Sequence, residues 1–506
     1  MHRRITLAAT ALLATTALLL TACTGGGTEP SPSSSGTPDA AATLTVGLLL
    51  EPSNLDIRHQ SGAALEQALI DNVYEGLVTR DADAGNEIVP RLASDWEVSS
   101  DGLTYTFTIR DDVTFHDGTP MTSADVVSSL TAAKDDETIQ GHADLQGVAT
   151  IEAPDATTVV ITLTEPNSNF LFNLTGRAGL VVKTGDTTDL KTAANGTGPF
   201  TVGTWLQGDS LTLERNDAYW GDPAGVAEVV LTYFADSTAA VNAALEGSVD
   251  VVTEVDPELA PQLEGDVGYT LVSGETTDKG TLAFNNKKAP LDDVRVREAL
   301  RLAIDHDALI ETLGSGDTLF GPIPPLDPGY EDLSDVVTYD PAKAKELLAE
   351  AGVKNLTLTL TIPSVYGTTI PTILVSDFNE IGVTLKVDSV EFTSWLQDVY
   401  TNKDYDLSFV RHVEARDFSN WANPDYYFNY DNPKVQSLYA EALASTDEAE
   451  TQKLLAEAAR IVSEDHAADW LFLATPIAAV GTNVSGFPEN SLNVRLPLAG
   501  ATVSTE

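Results

Sequence analysis

Strands and helices alternate along the second half of this chain, and residues 340–362 show the rule most clearly. Asp340 stands where a helix N-cap stands, Pro341 takes the first helical position, and Gly352 marks the stop. Between them Ala344, Leu347, Leu348 and Ala351 recur on one helix face. Leu356, Leu358, Leu360 and Ile362 then alternate with polar residues, which is the period of a strand. Val296, Ala299, Leu300, Ala303 and Ile304 mark another helix face, Phe378 falls on a third helix, and Val383, Leu385 and Val387 on the strand after it. Such alternation predicts an α/β fold.

The first half supplies further elements. Residues 44–50 form a short apolar run, read as a buried strand, and 64–77 have helical spacing. Residues 104–109 (TYTFTI) alternate strictly, as a half-buried strand does. A turn at 116–120 follows, then a helix capped by Thr122 or Ser123. Residues 157–163, 226–234 and 249–255 read as strands, and 237–246 as a helix. Asn195-Gly196-Thr197-Gly198-Pro199-Phe200 is glycine-rich punctuation, read as a crossing between lobes.

The N-terminus reads as an export signal. Arg3 and Arg4 precede an uncharged stretch that ends in Leu20-Thr21-Ala22-Cys23. Cys23 is the only cysteine, so no intramolecular disulfide or cysteine metal site is expected. Residues 24–43 are rich in Gly, Ser, Pro, Thr and Ala and cannot bury enough surface to offset ordering entropy. They read as a tether of roughly 25 Å root-mean-square span.

The remaining length exceeds one simple core and predicts two or more lobes. Lys plus Arg is 28 against 76 Asp plus Glu, a net charge of −48. That field repels nucleic acid and anionic headgroups. No G-x-S-x-G elbow, H-E-x-x-H pair or P-loop is present, so no catalytic residue is assigned. His59, His116, His142, His306, His412 and His466 show no close metal-ligand spacing, and no metal or cofactor is expected. Glu414 and Asp417 offer either a carboxylate pair or a solvated face.

Four stretches, taken together, resemble the extracytoplasmic solute-binding proteins of ABC importers, the family that includes dipeptide- and oligopeptide-binding proteins. They are LASDWEVSSDGLTYTFTIRDDVTFHDGTPMTSADVV (92–127), Gly196 to Phe200 with Arg215, Tyr219 and Trp220, LAFNNKKAPLDDVRVREALRLAIDHDALI (282–310) and YDPAKAKELLAEAG (339–352). The run ending at Cys23 resembles a bacterial lipobox, which implies cleavage after Ala22 and lipid attachment at Cys23 on the outer face of the cytoplasmic membrane, as in Gram-positive bacteria.

The resemblance implies a two-lobed fold of the periplasmic-binding-protein kind with a hinge and an extra inserted domain. Residues 1–22 would be the signal peptide and 23–43 the tether. Residues 44–80, 196–277 and 476–506 would make the first lobe, 81–195 the inserted domain, and 278–475 the second lobe. Hinge crossings are expected near Thr277 and Thr475, with ligand held as the lobes close. The protein would act as a monomer that captures peptides and delivers them to membrane permease subunits. An oligosaccharide, a nickel chelate or an opine is the alternative cargo, and a cell-wall hydrolase the alternative of another class.

A zwitterionic peptide needs an anion for its ammonium and a fork for its carboxylate. In FVRHVEARDFSNWANPDYYFNY (409–430), Asp417 is the expected ammonium partner. Arg411 or Arg416 would meet the carboxylate, and Trp395 and Trp421 would wall the pocket. The hinge strand, with Leu282, Phe284 and Asn285, would offer backbone groups. His59, Gln60 and Ser61 would face it from the first lobe.

Overall fold

The computed structural model describes residues 37–81, 83–265, 267–491 and 493–505. Cys23, the signal and residues 24–36 lie outside the described residues. Residues 37–43, expected to belong to the tether, are held against the body instead. Thr37–Pro38 pairs antiparallel with Thr502–Thr505, and Asp39 N–H donates to the Val503 carbonyl at 2.8 Å. The backbone ladder orders a segment whose largest core contact is the small side chain of Ala42.

The first lobe is built on a seven-stranded sheet in the order Tyr269–Ser273, Ile477–Gly481, Val251–Val255, Thr43–Leu48, Glu228–Tyr233, Ser210–Arg215, Phe200–Leu206. Thr43–Leu48 runs parallel to both neighbours, and Leu44, Val46 and Leu48 are buried. Central parallel strands read as apolar runs because both faces are covered. Its core draws on 44–74, 180–231 and the chain's last 30 residues.

The second lobe carries a five-stranded sheet in the order Thr384–Val390, Thr357–Pro363, Leu407–His412, Lys279–Phe284, Ala468–Leu473. The helix Pro341–Glu350 begins as expected: Asp340 accepts from Lys343 N–H at 2.9 Å, and Gly352 sits at φ +73°. Helices Val294–Leu302 and Thr369–Glu380 and their strands bury the expected positions in one core, except Val387, which is exposed on the edge strand.

Residues 77–181 have a core of their own beneath a four-stranded antiparallel sheet, Ala93–Val98, Thr104–Ile109, Thr158–Leu163 and Val148–Asp155. Tyr105, Phe107 and Ile109 point inward. The helix Ser123–Asp135 starts where Thr122 N–H donates to the Asp125 carboxylate at 2.9 Å.

One expected element is shorter. The helical spacing at 64–77 yields a helix only over Ala63–Leu69. The chain turns at Asp71, whose φ is +65° and whose carboxylate holds Arg495 and Thr79. A side-chain network from the far end of the sequence overrides the local period.

Two crossings join the lobes. The chain passes from Tyr269–Ser273 of the first sheet to Lys279–Phe284 of the second, and returns from Ala468–Leu473 to Ile477–Gly481. The crossings are laced together: Thr276 Oγ1 donates to the Ala474 carbonyl at 2.7 Å, and Ala474 N–H to the Asp278 carbonyl at 2.9 Å. The 77–181 segment also touches the second lobe, away from the crossings. Ser168 N–H donates to the Leu443 carbonyl at 2.9 Å, and Asn86 Nδ2 to the Leu326 carbonyl at 3.1 Å.

Candidate functional site

A cavity of about 870 Å³ lies between the lobes, within the range of small-ligand sites. Glu66 and Arg495 reach it from the first lobe, Asn169, Phe172 and Thr175 from the segment with its own core, and Tyr366 to Leu443 from the second lobe. Residues of both signs line it.

Arg411, Arg416, Asp417 and Trp395 line this cavity. Asp417 follows the strand Leu407–His412, and its carboxylate is 8% exposed. Lys279, on the paired strand opposite His412, places its ammonium 3.3 Å from Asp417 Oδ1 and is 2% exposed. That ammonium also donates to the carbonyls of Thr277 (2.9 Å) and Glu414 (3.1 Å). Burial raises the Asp417 carboxyl above its usual range, and Lys279 opposes the shift. Asp417 is therefore not a bare carboxylate; it shares a resident cation.

Arg411 holds Asp278 through Nε at 3.0 Å, and its backbone N–H donates to Tyr366 Oη at 3.1 Å. Burial lowers its pKa, but bonding to Asp278 dominates and leaves it firmly cationic. Arg416 stands at φ +54°, with its N–H on Asp327 Oδ2 at 2.6 Å. Its side chain crosses to Asn169 Oδ1 at 3.3 Å and lies 4.2 Å over the Phe172 ring centre.

Trp395 donates through Nε1 to Ser408 Oγ at 2.8 Å and stacks on Phe392 at 5.6 Å. With Tyr400 and Tyr426 these rings make an aromatic wall.

The other candidates lie elsewhere. Trp421 is buried in the second lobe's core, stacked on Phe428 at 4.1 Å, and walls no part of the cavity. Leu282 and Phe284 are wholly buried in a strand paired on both sides, so its backbone groups are spent on the sheet. Asn285 donates to the carbonyls of Lys403 and Tyr405 and accepts from Asn429, a structural role. His59, Gln60 and Ser61 sit where the first lobe meets the 77–181 core. His59 Nδ1 is 3.0 Å from Asp56, the Gln60 carbonyl accepts from Arg177, and Gln60 Nε2 donates to the Ser61 carbonyl at 3.2 Å.

Sequence reasoning missed Lys279, Asp278, Arg80, Phe172 and Asp327. Lys279 and Asp278 stand side by side at the hinge, but nothing local marks them as the buried partners of the cavity residues Asp417 and Arg411. Arg80 and Phe172 reach the site only through long-range topology.

His412, Glu414 and Asp417 bring ligand-type atoms within 4.8 Å of one another. The Lys279 ammonium already fills the cation's role beside them. Burial, then Lys279, holds the His412 pKa down to about 4, so the ring is neutral, and its Nε2 is 3.0 Å from Tyr427 Oη.

Two lobes on two sheets, joined by paired crossings around a polar cavity, define a hinged solute-binding protein. The profile of the bacterial extracellular solute-binding proteins, family 5 (middle region), matches residues 87–435, and the chain belongs to that family. It is 29% identical over 461 residues to the glutathione-binding protein GsiB of Pectobacterium atrosepticum, spanning 85% of this chain and 88% of that one. It is 29% identical over 347 residues to the dipeptide-binding protein of Escherichia coli, spanning 62% and 65% of the two chains. The solved structure of HbpA2 from Haemophilus parasuis superposes with a TM-score of 0.82 at 24% identity, over 92% of this chain and 100% of that one.

Proposed function

We propose that this protein captures short peptides between its lobes and hands them to the permease subunits of an ABC importer. The observation that carries this reading is the two-signed cavity. Asp417 and Glu414 set two carboxylates against the single ammonium of Lys279, which leaves one negative charge for a peptide ammonium. Arg411 stands on the same wall for the peptide's terminal carboxylate. The names of the relatives that bind glutathione and dipeptides support a peptide cargo. The chain would work as a monomeric binder without enzymatic activity, tethered outside the cytoplasmic membrane by a lipid on Cys23.

A thermal-shift panel of di- to hexapeptides, oligosaccharides and nickel chelates tests the cargo. A ligand at 100 times its Kd adds about 2.7 kcal/mol of stability. Among responding peptides, Asp417→Asn is expected to weaken free-amine peptides at least tenfold more than N-acetylated ones; equal loss removes Asp417 from the role. A second reading, an oligosaccharide, is favoured by the aromatic wall of Phe392, Trp395, Tyr400 and Tyr426. A response to saccharides alone establishes it. For the anchor, Cys23→Ala should release the protein into the medium or leave it unprocessed, and unchanged membrane retention rejects the lipid.

A further inference from the structure

The Phe172 ring is shared by two arginines from opposite sides of the cavity. Arg416 of the second lobe lies 4.2 Å from its centre, and Arg80, at the end of the strand Val78–Asp81, lies 5.2 Å from it. All three residues line the cavity. A guanidinium stacked on a ring satisfies its face but leaves its in-plane N–H donors free. The Nε atoms of Arg80 and Arg416 are buried with no acceptor among the described residues.

Arg91, Arg177, Arg411, Arg460 and Arg495 each hold a carboxylate. Arg80 and Arg416 hold none within ion-pairing distance through their side chains. Arg58, Arg110 and Arg297 also hold no carboxylate, but they bond backbone carbonyls and do not line the cavity. The nearby carboxylates act on Arg80 and Arg416 only at longer range. Asp71 is committed to Arg495 and Glu66 to Arg177, so Asp327 is the carboxylate both guanidiniums share, with Glu448 adding its field at Arg416. Neither guanidinium holds a carboxylate directly beside the cavity.

We propose that Arg80, Phe172 and Arg416 form an anion subsite that takes a second acidic group of the bound peptide, such as a Glu or Asp side chain. The inference rests on the peptide reading and extends it to a preference for acidic peptides. Burial, followed by the charge of Arg495, lowers the Arg80 pKa to about 10, a strain that an anionic ligand relieves. Because Arg80 belongs to the 77–181 segment and Arg416 to the second lobe, an anion held by both would also draw these two bodies together.

Isothermal titration of the full chain with Ala-Glu-Ala and Ala-Gln-Ala tests this. A charge-assisted bond predicts at least about tenfold tighter binding of the acidic peptide. In Arg80→Gln that ratio should fall to about one, with the melting of the unliganded variant checking its fold. Equal affinities in the wild type overturn the subsite, and so does an undiminished ratio in the variant. If Arg80→Gln does not fold, the wild-type ratio decides. If neither peptide binds, the peptide reading fails, and glutarate alone decides the subsite. Wild-type stabilisation by glutarate that Arg80→Gln or Arg80→Lys diminishes supports it, and no stabilisation, or stabilisation that survives these changes, rejects it.

Discussion

Lys279 and Asp417 form an ion pair at 3.3 Å behind the cavity wall to which Asp417 belongs, both all but sealed from solvent. The pair joins the hinge strand to the loop that follows the neighbouring strand. It therefore couples the geometry of the crossing to the candidate ligand anchor.

Lys279→Met should show this coupling. Removing one partner of a buried pair leaves an uncompensated charge and costs about 3–5 kcal/mol. Without Lys279, the already raised Asp417 pKa rises further. An acid whose folded pKa is raised loses stability as pH rises through its unfolded value. The loss in Lys279→Met should thus be larger at pH 7 than near pH 4, and Asp417→Asn in the same chain should restore part of it. Urea denaturation at the two pH values measures this; a pH-independent loss would show that the ammonium matters only for packing.

Asp327 sets a second pH dependence. It is buried, and burial pushes its carboxyl up to about 6 despite the opposing charge of Lys279. The raised pKa means that stability is present below the unfolded value near 4 and is lost as pH rises to about 6. Asp327→Asn keeps an oxygen for the Arg416 N–H while removing the charge. The variant should gain on the order of 1–3 kcal/mol relative to wild type between pH 4 and pH 7. Denaturation midpoints that move in parallel for both proteins across that window reject the assignment.

The sequence made the elements legible where local period and packing agree. Helix Pro341–Glu350 carried its cap, its proline and its glycine, and the alternation at 104–109 matched its burial. Of the cavity lining, the sequence made legible Trp395 and one loop, where Arg411, Arg416 and Asp417 lie close in sequence. Lys279 faces that loop because strand pairing sets it opposite His412, and Arg80 and Phe172 arrive through topology. The expectations for Leu282, Phe284 and Asn285 failed because a central strand has no spare backbone groups. Trp421 failed because a large ring near a cavity packs equally well behind it.

The two tryptophans can be separated by experiment. Trp421→Ala opens a hole beside Phe428 and Trp470 and should cost about 3–5 kcal/mol. Ligand affinity of the folded fraction should change less than about twofold, since the ring does not line the cavity. Trp395→Ala also loses the bond to Ser408, but it removes cavity wall as well. It should weaken ligand binding by tenfold or more, on the order of 1.4 kcal/mol. Equal effects of the two changes on affinity would show that the wall is not part of the site.

The glycines of 195–200 make a different demand on the chain, one of approach rather than of turn type. A Cβ on Gly196 would stand 1.8 Å from the Val73 carbonyl oxygen, and one on Gly198 would stand 2.5 Å from that of Asn72. Backbone meets backbone there, so no side chain can yield. The contact is fixed from both sides: Gly198 N–H donates to Val73 at 3.0 Å, and Thr197 Oγ1 donates to buried Glu75 at 2.8 Å. Gly196→Ala must therefore displace one of the two packed backbone segments, at a cost expected to exceed about 3 kcal/mol, in the range of overpacked cores or above. Gly185 has φ +70° and open space around its Cβ position, so Gly185→Ala meets only the left-handed penalty of roughly 1–2 kcal/mol. Melting of the two variants separates the mechanisms. Similar losses would mean that the 195–200 segment relaxes freely and that its glycines serve only the turn.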